Sequence, residues 1–242
     1  MPSQGYGVLD IPNPQCRLVH IHPGPEEIGR VYVPHLAVNA SPARTAAALA
    51  ALPAPKSIPW AERTRAGHAE YRAWSEEPTP QPGGVNLGAV MVHLRETLPE
   101  DAVICNGAGN YAAWIHRFYR FRRLGSHVAP TAGSMGYGVP AGVACAITTG
   151  RTVVTVAGDG DFLMNGQELA TARQYGAKTI VVLLNNGVYG TIRMHQARDY
   201  PHRQEGTELV NPDFVRLADS YGYAGTRVER TEQFEPALRE AL

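Results

Sequence analysis

The chain has 242 residues, of which 44% are hydrophobic and 18% are charged, as in an ordinary globular protein. Its 22 basic and 22 acidic side chains balance, which argues against binding to nucleic acid or to an anionic membrane surface. No apolar run approaches the roughly 20 residues that a membrane span needs, and the first residues lack the pattern of a secretory signal. The three cysteines are far apart, which argues against a disulfide framework and favours a cytoplasmic location.

The N-terminal stretch is typical of the end of an α/β domain. Residues 17–22 and 35–39 have the pattern of short strands, and Ser41 begins a predicted helix that runs to Leu52. Two strands and one helix bury too little surface for an independent core. Residues 1–52 are therefore predicted to be the last part of a larger domain.

A proline-rich segment follows at residues 53–84. Its prolines and a Gly-Gly pair flank a predicted helix over residues 60–74. Proline-rich flanks without strand periodicity are typical of a connector between domains.

From residue 85 onward, predicted strands and helices alternate. The strands are predicted over residues 102–105, 152–157, 179–184 and 224–228, and the helices over residues 86–98, 111–119, 135–147, 165–175 and 211–221 and from about residue 231. The runs at 152–157 and 179–184 are typical of strands buried on both faces, and Asn165 and Glu168 have the spacing of a capping box. The alternation predicts a doubly wound α/β fold over residues 85–242, a mostly parallel sheet with helices on both faces. The chain ends on a helix, where a further strand would be expected to complete this domain.

Polar residues follow two consecutive predicted strands. The sequence Gly-Asp-Gly-Asp at 158–161 comes directly after one strand, and Asn185 and Asn186 come after the next. Ligands of open α/β sheets bind at the carboxyl ends of the strands, and glycines there let backbone amides approach an anion. Either sequence alone is common in ordinary turns. The two together indicate an oxygen-ligand site suited to Mg²⁺ and a phosphate group.

Three segments carry a resemblance to one family. The stretch from residue 158 to 186, GDG followed by NN, resembles the signature that binds thiamine diphosphate (ThDP, also called thiamine pyrophosphate). The segments GSMGYGVPAGVACA at 133–146 and NNGVYGTIRMHQ at 185–196 resemble acetolactate synthases and benzoylformate decarboxylases. The resemblance covers residues 86–242, and residues 18–41 are similar to the end of the central domain of the same family.

The resemblance implies a role for each of a set of residues. Asp159, the Asn186 side chain and the Val188 carbonyl would bind Mg²⁺. The Gly133 carbonyl would accept a hydrogen bond from the 4'-amino group of ThDP, and Met135 would wedge under the cofactor, which makes these two the expected catalytic positions as well as cofactor-binding ones. The other expected cofactor-binding residues are Gly109, Asn110, Tyr111, Gly158, Gly160, Asp161 and Tyr189, together with the metal ligand Asn186.

The resemblance also implies a function for the complete enzyme, that of a carboligase or decarboxylase acting on 2-oxoacids. The family's active site forms between two subunits of a homodimer or homotetramer, and its activating glutamate lies in a pyrimidine-binding domain that nothing here resembles. Glu26 and Glu27 cannot be assigned that role, so we expect cofactor binding but little turnover from this chain alone. The alternative is a non-catalytic or truncated ThDP-binding subunit. FAD is possible in this family, but no part of this chain supports it. Arg193 and His195 are expected at solvated helix positions.

Two segments resemble motifs of other enzyme classes. Residues 107–112 fit a dinucleotide-binding G-x-G-x-x-A pattern, but no acidic residue lies between Asp101 and Asp159 to contact a ribose. Ser134 resembles the nucleophile of a hydrolase elbow, with His195 or His202 as a base. The residues before Ser134 include a proline and form a poor central strand, which disfavours this class.

Overall fold

Residues 7–242 are described by the computed structural model, and their contacts separate them into two units. One unit ends at Thr64 and the other runs from Arg65 to Leu242. The division falls within a helix, α2, which spans Ala61–Ser75.

The first unit contains a two-stranded parallel sheet, a short 3-10 helix at Pro25–Glu27 and one α-helix before α2. Strand β1, Val19–His22, pairs with β2, Leu36–Asn39, and helix α1 spans Pro42–Ala50. Ser41 caps α1, since its Oγ accepts a hydrogen bond from the Arg44 N–H at 3.3 Å. The two strands and α1 are the elements that the sequence predicts for this stretch.

The second unit is built on a four-stranded sheet. Its strands are β3 (Val103–Asn106), β4 (His127–Val128), β5 (Val153–Gly158) and β6 (Ile180–Leu184), in the order β4-β3-β5-β6. Every neighbouring pair is parallel. The helices are α3 (Leu87–Thr97), α4 (Ala112–Phe118), α5 (Gly138–Thr149), α6 (Asp159–Asn165), α7 (Leu169–Gln174), α8 (Gly190–Asp199), α9 (Phe214–Ser220) and α10 (Phe234–Ala241).

Strand β5 shows why helices cover both faces of this sheet. Val154 and Val156 pack into a cluster formed with α3, α4 and α10, whereas Val153 and Ala157 pack with residues of α5 and α6 on the opposite face. All four side chains are buried. Because successive side chains of a strand point to opposite faces, this run of apolar residues can be buried only between two helical layers. The predicted doubly wound α/β fold is thus confirmed.

Some elements differ from their predictions at the ends. Helix α5 begins at Gly138 rather than at Met135, because Gly136 has a φ of +79°, which a helix cannot contain. The predicted capping box of Asn165 and Glu168 is absent. The Asn165 Nδ2 instead donates to the Gly136 carbonyl at 2.9 Å, and Glu168 accepts from the Thr171 hydroxyl at 2.7 Å.

One strand prediction was wrong, and another strand is less buried than its prediction. Residues 224–228 form no strand, because Gly225 lies against the backbone of Val215 in α9 and not beside a sheet edge. Strand β6 is the last strand of the sheet and is only half-buried, although its side chains pack alternately against the apolar clusters on the two faces of the sheet. A short strand at the other edge, β4, was not predicted. No helix among the described residues combines the length and hydropathy needed to span a membrane.

Candidate metal and anion site

The candidate site lies where strands β3, β5 and β6 end side by side. These strands are adjacent and parallel, so their carboxyl ends share one edge of the sheet. The segments 107–111, 158–161 and 185–190 leave the strands there. The fold therefore brings together three segments that the sequence separates.

Asp159 is the first residue after β5 and is only 3% exposed. Its Oδ1 accepts the N–H of Gly160 at 2.9 Å, and its Oδ2 accepts the N–H of Gly187 at 2.7 Å and the Nδ2 of Asn211 at 2.7 Å. No basic side chain of the described residues forms an ion pair with it. A buried carboxylate that lacks an opposite charge is costly. Oδ1 receives a single donor, so it can still bind a cation.

The loop after β6 presents the other two predicted ligands. The Asn186 Oδ1 accepts the Val188 N–H at 3.1 Å, and the Val188 carbonyl accepts the Gly190 N–H at 2.8 Å. Gly187 has a φ of +68°, which permits the sharp turn between them. Asn186 is exposed, and its amide oxygen can accept a further contact on its open side.

A second segment holds this loop in place. The Leu209 N–H donates to the Gly187 carbonyl, and the Tyr189 N–H donates to the Thr207 carbonyl, each at 2.8 Å. Thr207 is 3% exposed, so the pairing is anchored in the interior. The segment 207–211 therefore fixes the backbone that carries the Val188 carbonyl.

Asn211 belongs to the site although its sequence context predicts only the start of a helix. Its Nδ2 donates both to Asp159 Oδ2 at 2.7 Å and to Asn185 Oδ1 at 2.8 Å. Both partners are acceptors, so the orientation of the amide is settled. Its Oδ1 is buried and has no hydrogen-bond partner among the described residues. Helix α9 is capped by Asp213 instead. No local sequence signal distinguishes Asn211 from an ordinary residue before a helix.

Asp161 is a second buried carboxylate at this edge, 4% exposed. Its Oδ2 accepts the Tyr111 hydroxyl at 2.7 Å, and its Oδ1 accepts the Gly136 N–H at 2.6 Å. Its side chain also lies so close to Gly107 that a Cβ there would stand 2.1 Å from Oδ1. The carboxylate therefore contacts two other loops of the site.

The ring of Tyr111 lies between glycines. A Cβ on Gly109 would stand 2.8 Å from the ring, and one on Gly158 would stand 3.4 Å from it. Burial raises the pKa of the Tyr111 phenol well above its usual value, and the hydrogen bond to Asp161 and the charge of that carboxylate raise it further. The hydroxyl is thus a proton donor committed to Asp161.

Tyr189 packs in the same way over Gly160. A Cβ on buried Gly160 would stand 2.4 Å from the Tyr189 ring, so only glycine fits under it. The contact joins the turn after β5 to the loop after β6.

The remaining predicted residues lie at the edges of this cluster. Gly133 is exposed with a φ of +68°, and Met135 is half-buried before Gly136. The Asn110 N–H donates to Thr191 Oγ1 at 3.0 Å, so Asn110 faces helix α8. Arg193 and His195 are exposed on α8, in the solvated positions expected for them.

The donor set fits a hard divalent cation that carries phosphate ligands. Asp159, Asn186 and the Val188 carbonyl offer only oxygen atoms, and Mg²⁺ commonly takes one or two carboxylates and completes its shell with water and phosphate. Among residues 7–242, no group of three or more His, Cys, Asp or Glu side chains is placed to hold a metal ion. The predicted ligand set is of a different kind, because it contains one carboxylate, one amide oxygen and one backbone carbonyl.

Fold and site together define an α/β domain with an oxygen-ligand site at the carboxyl edge of a parallel sheet. Comparison with known proteins agrees: residues 107–242 match the family described as thiamine pyrophosphate enzyme, C-terminal TPP binding domain. The chain therefore belongs to the ThDP-dependent enzymes, and its second unit carries their C-terminal ThDP-binding domain.

Individual relatives are similar over nearly the whole chain. The acetolactate synthase large subunit of Parasynechococcus marenigrum is 30% identical over 98% of this chain and 39% of its own length. The acetolactate synthase isozyme 2 large subunit of Escherichia coli is 29% identical over 98% of this chain and 43% of its own length. The solved structure of a ThDP-dependent 4-hydroxybenzoylformate decarboxylase from Rhodococcus jostii matches with a TM-score of 0.76 at 26% identity, over 93% of this chain and 41% of that one. The chain thus spans about two fifths of the length of these relatives.

Proposed function

We propose that Asp159, the Asn186 side chain and the Val188 carbonyl hold a Mg²⁺ ion, and that this ion anchors the diphosphate of ThDP. The observation that supports it best is the buried carboxylate of Asp159, which has three N–H donors and no ion pair in the described part of the chain. A divalent cation would supply the missing opposite charge.

The diphosphate would lie against the turn that follows β5. Gly160 and Asp161 lie in the first turn of α6, where backbone N–H groups have no carbonyl partner within the helix, and the Gly160 N–H donates to Asp159 Oδ1. Gly158 and the segment 109–111 would face the diphosphate from the other side, and the Tyr189 ring would cover Gly160. The close packing of rings on glycines supports a site that is shaped before any ligand binds.

The remaining contacts would be to the organic part of the cofactor. The Gly133 carbonyl would accept a hydrogen bond from the 4'-amino group, and Met135 would support the bent shape of ThDP. Bound ThDP supplies the electron sink for carbanion chemistry next to a carbonyl carbon, while the protein binds and orients it.

We propose 2-oxoacids as the substrates of the complete enzyme, with decarboxylation or carboligation as the reaction. The similarity to acetolactate synthases and to a 4-hydroxybenzoylformate decarboxylase supports this class. Since the chain spans about two fifths of these relatives, a pyrimidine-binding part would come from another chain or from outside these residues, in a homodimer or homotetramer. A cytoplasmic location is supported by the three free cysteines.

Calorimetric titration of the chain with ThDP, with and without Mg²⁺, tests the metal and diphosphate site. Wild-type protein should bind ThDP only when Mg²⁺ is present. Asp159→Asn keeps the size of the side chain but removes its charge, so it should abolish or greatly weaken the binding that depends on Mg²⁺.

The matched control is Asp219→Asn, which removes the same charge from an exposed position on α9. This variant should bind ThDP as the wild type does. Binding that is independent of Mg²⁺, or that survives in Asp159→Asn, would contradict the proposed metal site. A folded wild-type chain that does not bind ThDP would contradict the proposal as a whole.

A further inference from the structure

We propose that the Asp161 side chain is a positioning residue that locks two loops of the ThDP site together before the cofactor binds. The inference rests on the proposed function and deepens it. Its basis is the pair of hydrogen bonds from the Tyr111 hydroxyl at 2.7 Å and from the Gly136 N–H at 2.6 Å, one to each carboxylate oxygen. Tyr111 follows strand β3, and Gly136 directly follows Met135.

The carboxylate has little freedom to leave this position. Gly107 lies against it so closely that a Cβ there would stand 2.1 Å from one carboxylate oxygen and 2.3 Å from the other. The side chain is 4% exposed, so water cannot replace the two donors at low cost. A buried carboxylate that accepts two hydrogen bonds in this space fixes the groups that donate them.

Side chains of helix α6 bind both backbone polar groups of Gly136. Asp161 accepts its N–H, and the Asn165 Nδ2 donates to its carbonyl at 2.9 Å. Gly136 has a φ of +79°, and a Cβ there would stand 2.7 Å from the Met164 Cβ, so the turn depends on glycine. The helix that begins with Asp159 therefore also sets the position of the turn containing Met135.

Electrostatics gives two opposite expectations for the role of Asp161. Its negative charge lies at the turn where we place the diphosphate, and like charges repel. If the carboxylate acted only through its charge, a neutral side chain would increase the affinity for ThDP. If the carboxylate acts through the two hydrogen bonds, a neutral side chain should lower the affinity, because one donor loses its acceptor and the loops loosen. The two buried donors and the lack of space beside Gly107 support the second expectation.

The test uses Asp161→Asn and Tyr111→Phe in the full chain, with Asp219→Asn as the control for lost charge. An asparagine has one acceptor oxygen instead of two, and phenylalanine keeps the ring but removes the donor. Each variant should bind ThDP in the presence of Mg²⁺ about tenfold more weakly than the wild type. The double variant should lose less than the product of the two single losses, since both substitutions disturb the hydrogen bonds of the same carboxylate.

Hydrogen exchange supplies a readout that a general loss of stability does not reproduce. Without cofactor, amide exchange in residues 133–137 should be faster in Asp161→Asn than in the wild type, while the amides of strand β5 should keep their protection. Tyr111→Phe leaves the carboxylate in place, so it stays informative if Asp161→Asn does not fold. Unchanged or tighter ThDP binding in both variants would overturn the positioning role and leave the proposed function intact. A wild-type chain that does not bind ThDP would overturn both.

Discussion

The Nδ2 of Asn211 donates to the Oδ2 of Asp159 at 2.7 Å, although 52 residues separate them in the chain. The same nitrogen donates to Asn185 Oδ1, so Asn211 links the turn after β5 to the loop after β6. Asp159 is thereby held by donors from three different segments. This arrangement fixes the direction of a carboxylate that we propose to bind Mg²⁺.

We expect Asn211→Ala to weaken the affinity for Mg²⁺ about tenfold, because groups that orient a metal ligand typically contribute that much to metal binding. The substitution removes one of the donors to Asp159 Oδ2 and leaves Asn185 Oδ1 without its donor. The measurement is a Mg²⁺ titration at a fixed concentration of ThDP, monitored by calorimetry.

Asp213→Ala is the control for this substitution. Asp213 caps helix α9 through the N–H groups of Val215 and Arg216, and it lies two residues beyond Asn211. Its loss should lower the free energy of unfolding by about 1 kcal/mol but leave the Mg²⁺ affinity unchanged. Equal effects of the two substitutions on Mg²⁺ binding would mean that Asn211 acts only through the helix that follows it.

His127 should make the stability of the chain depend on pH. Its Nε2 lies 2.8 Å from Asn106 Oδ1 and donates to it, since the Asn106 Nδ2 donates to the Gly107 carbonyl at 2.7 Å. The ring stacks on Phe121 with centroids 4.3 Å apart and meets His116 edge to face at 5.5 Å. Burial lowers the pKa of His127, and the charge of His116 lowers it further.

This lowered pKa determines whether the free energy of unfolding rises or falls with pH. Between about pH 6.5 and the lower pKa of the folded state, the unfolded chain binds more protons at this histidine than the folded chain does. The free energy of unfolding should therefore fall as the pH drops through about 6.5 and level off below the pKa of the folded state. His127→Gln keeps a donor for Asn106 but cannot titrate, so it should reduce this slope. Urea unfolding of both proteins over a range of pH checks the difference, and parallel curves would show that His127 does not contribute.

The sequence predicts the sheet and its ligand edge because both depend on local patterns. Apolar runs such as Val153–Gly158 indicate strands, and the polar residues at their ends lie together once the strands are parallel. The family resemblance adds roles for residues such as Met135, and these stay predictions. The predicted start of helix α5 was less accurate, because a hydrophobic pattern does not reveal the positive φ of Gly136.

Contacts between distant segments could not be predicted from such patterns. Asn165 has the spacing of a capping residue, but its amide donates to the Gly136 carbonyl, 29 residues away. Asn211 similarly has the context of a helix start, and its partner Asp159 becomes a neighbour only through the order of the strands. The side chain of Asp161 joins two loops for the same reason. Long-range hydrogen bonds of this kind depend on tertiary structure and leave no periodic signal in the sequence.

A pair of glycine-to-alanine substitutions tests how closely Asp161 is packed. Gly67 lies within α2, and a Cβ there would meet no atom within 4 Å. Gly67→Ala should therefore raise the free energy of unfolding by roughly 0.5–1 kcal/mol, because alanine loses less backbone entropy in a helix. Gly107→Ala adds the same methyl group at a distance of 2.1 Å from Asp161 Oδ1.

Gly107→Ala should change the free energy of unfolding in the opposite direction. The carboxylate must move, and with it the hydrogen bonds from Tyr111 and Gly136, so the free energy of unfolding should fall by about 1–3 kcal/mol. Urea unfolding of the two variants beside the wild type measures both changes under the same conditions.

The double variant of Gly107→Ala and Asp161→Ser tests whether the two side chains compete for space. Its free energy of unfolding should fall by less than the sum of the two single losses, because the smaller serine side chain leaves room for the methyl group. Strictly additive losses would show that the methyl group and the carboxylate do not compete for the same space.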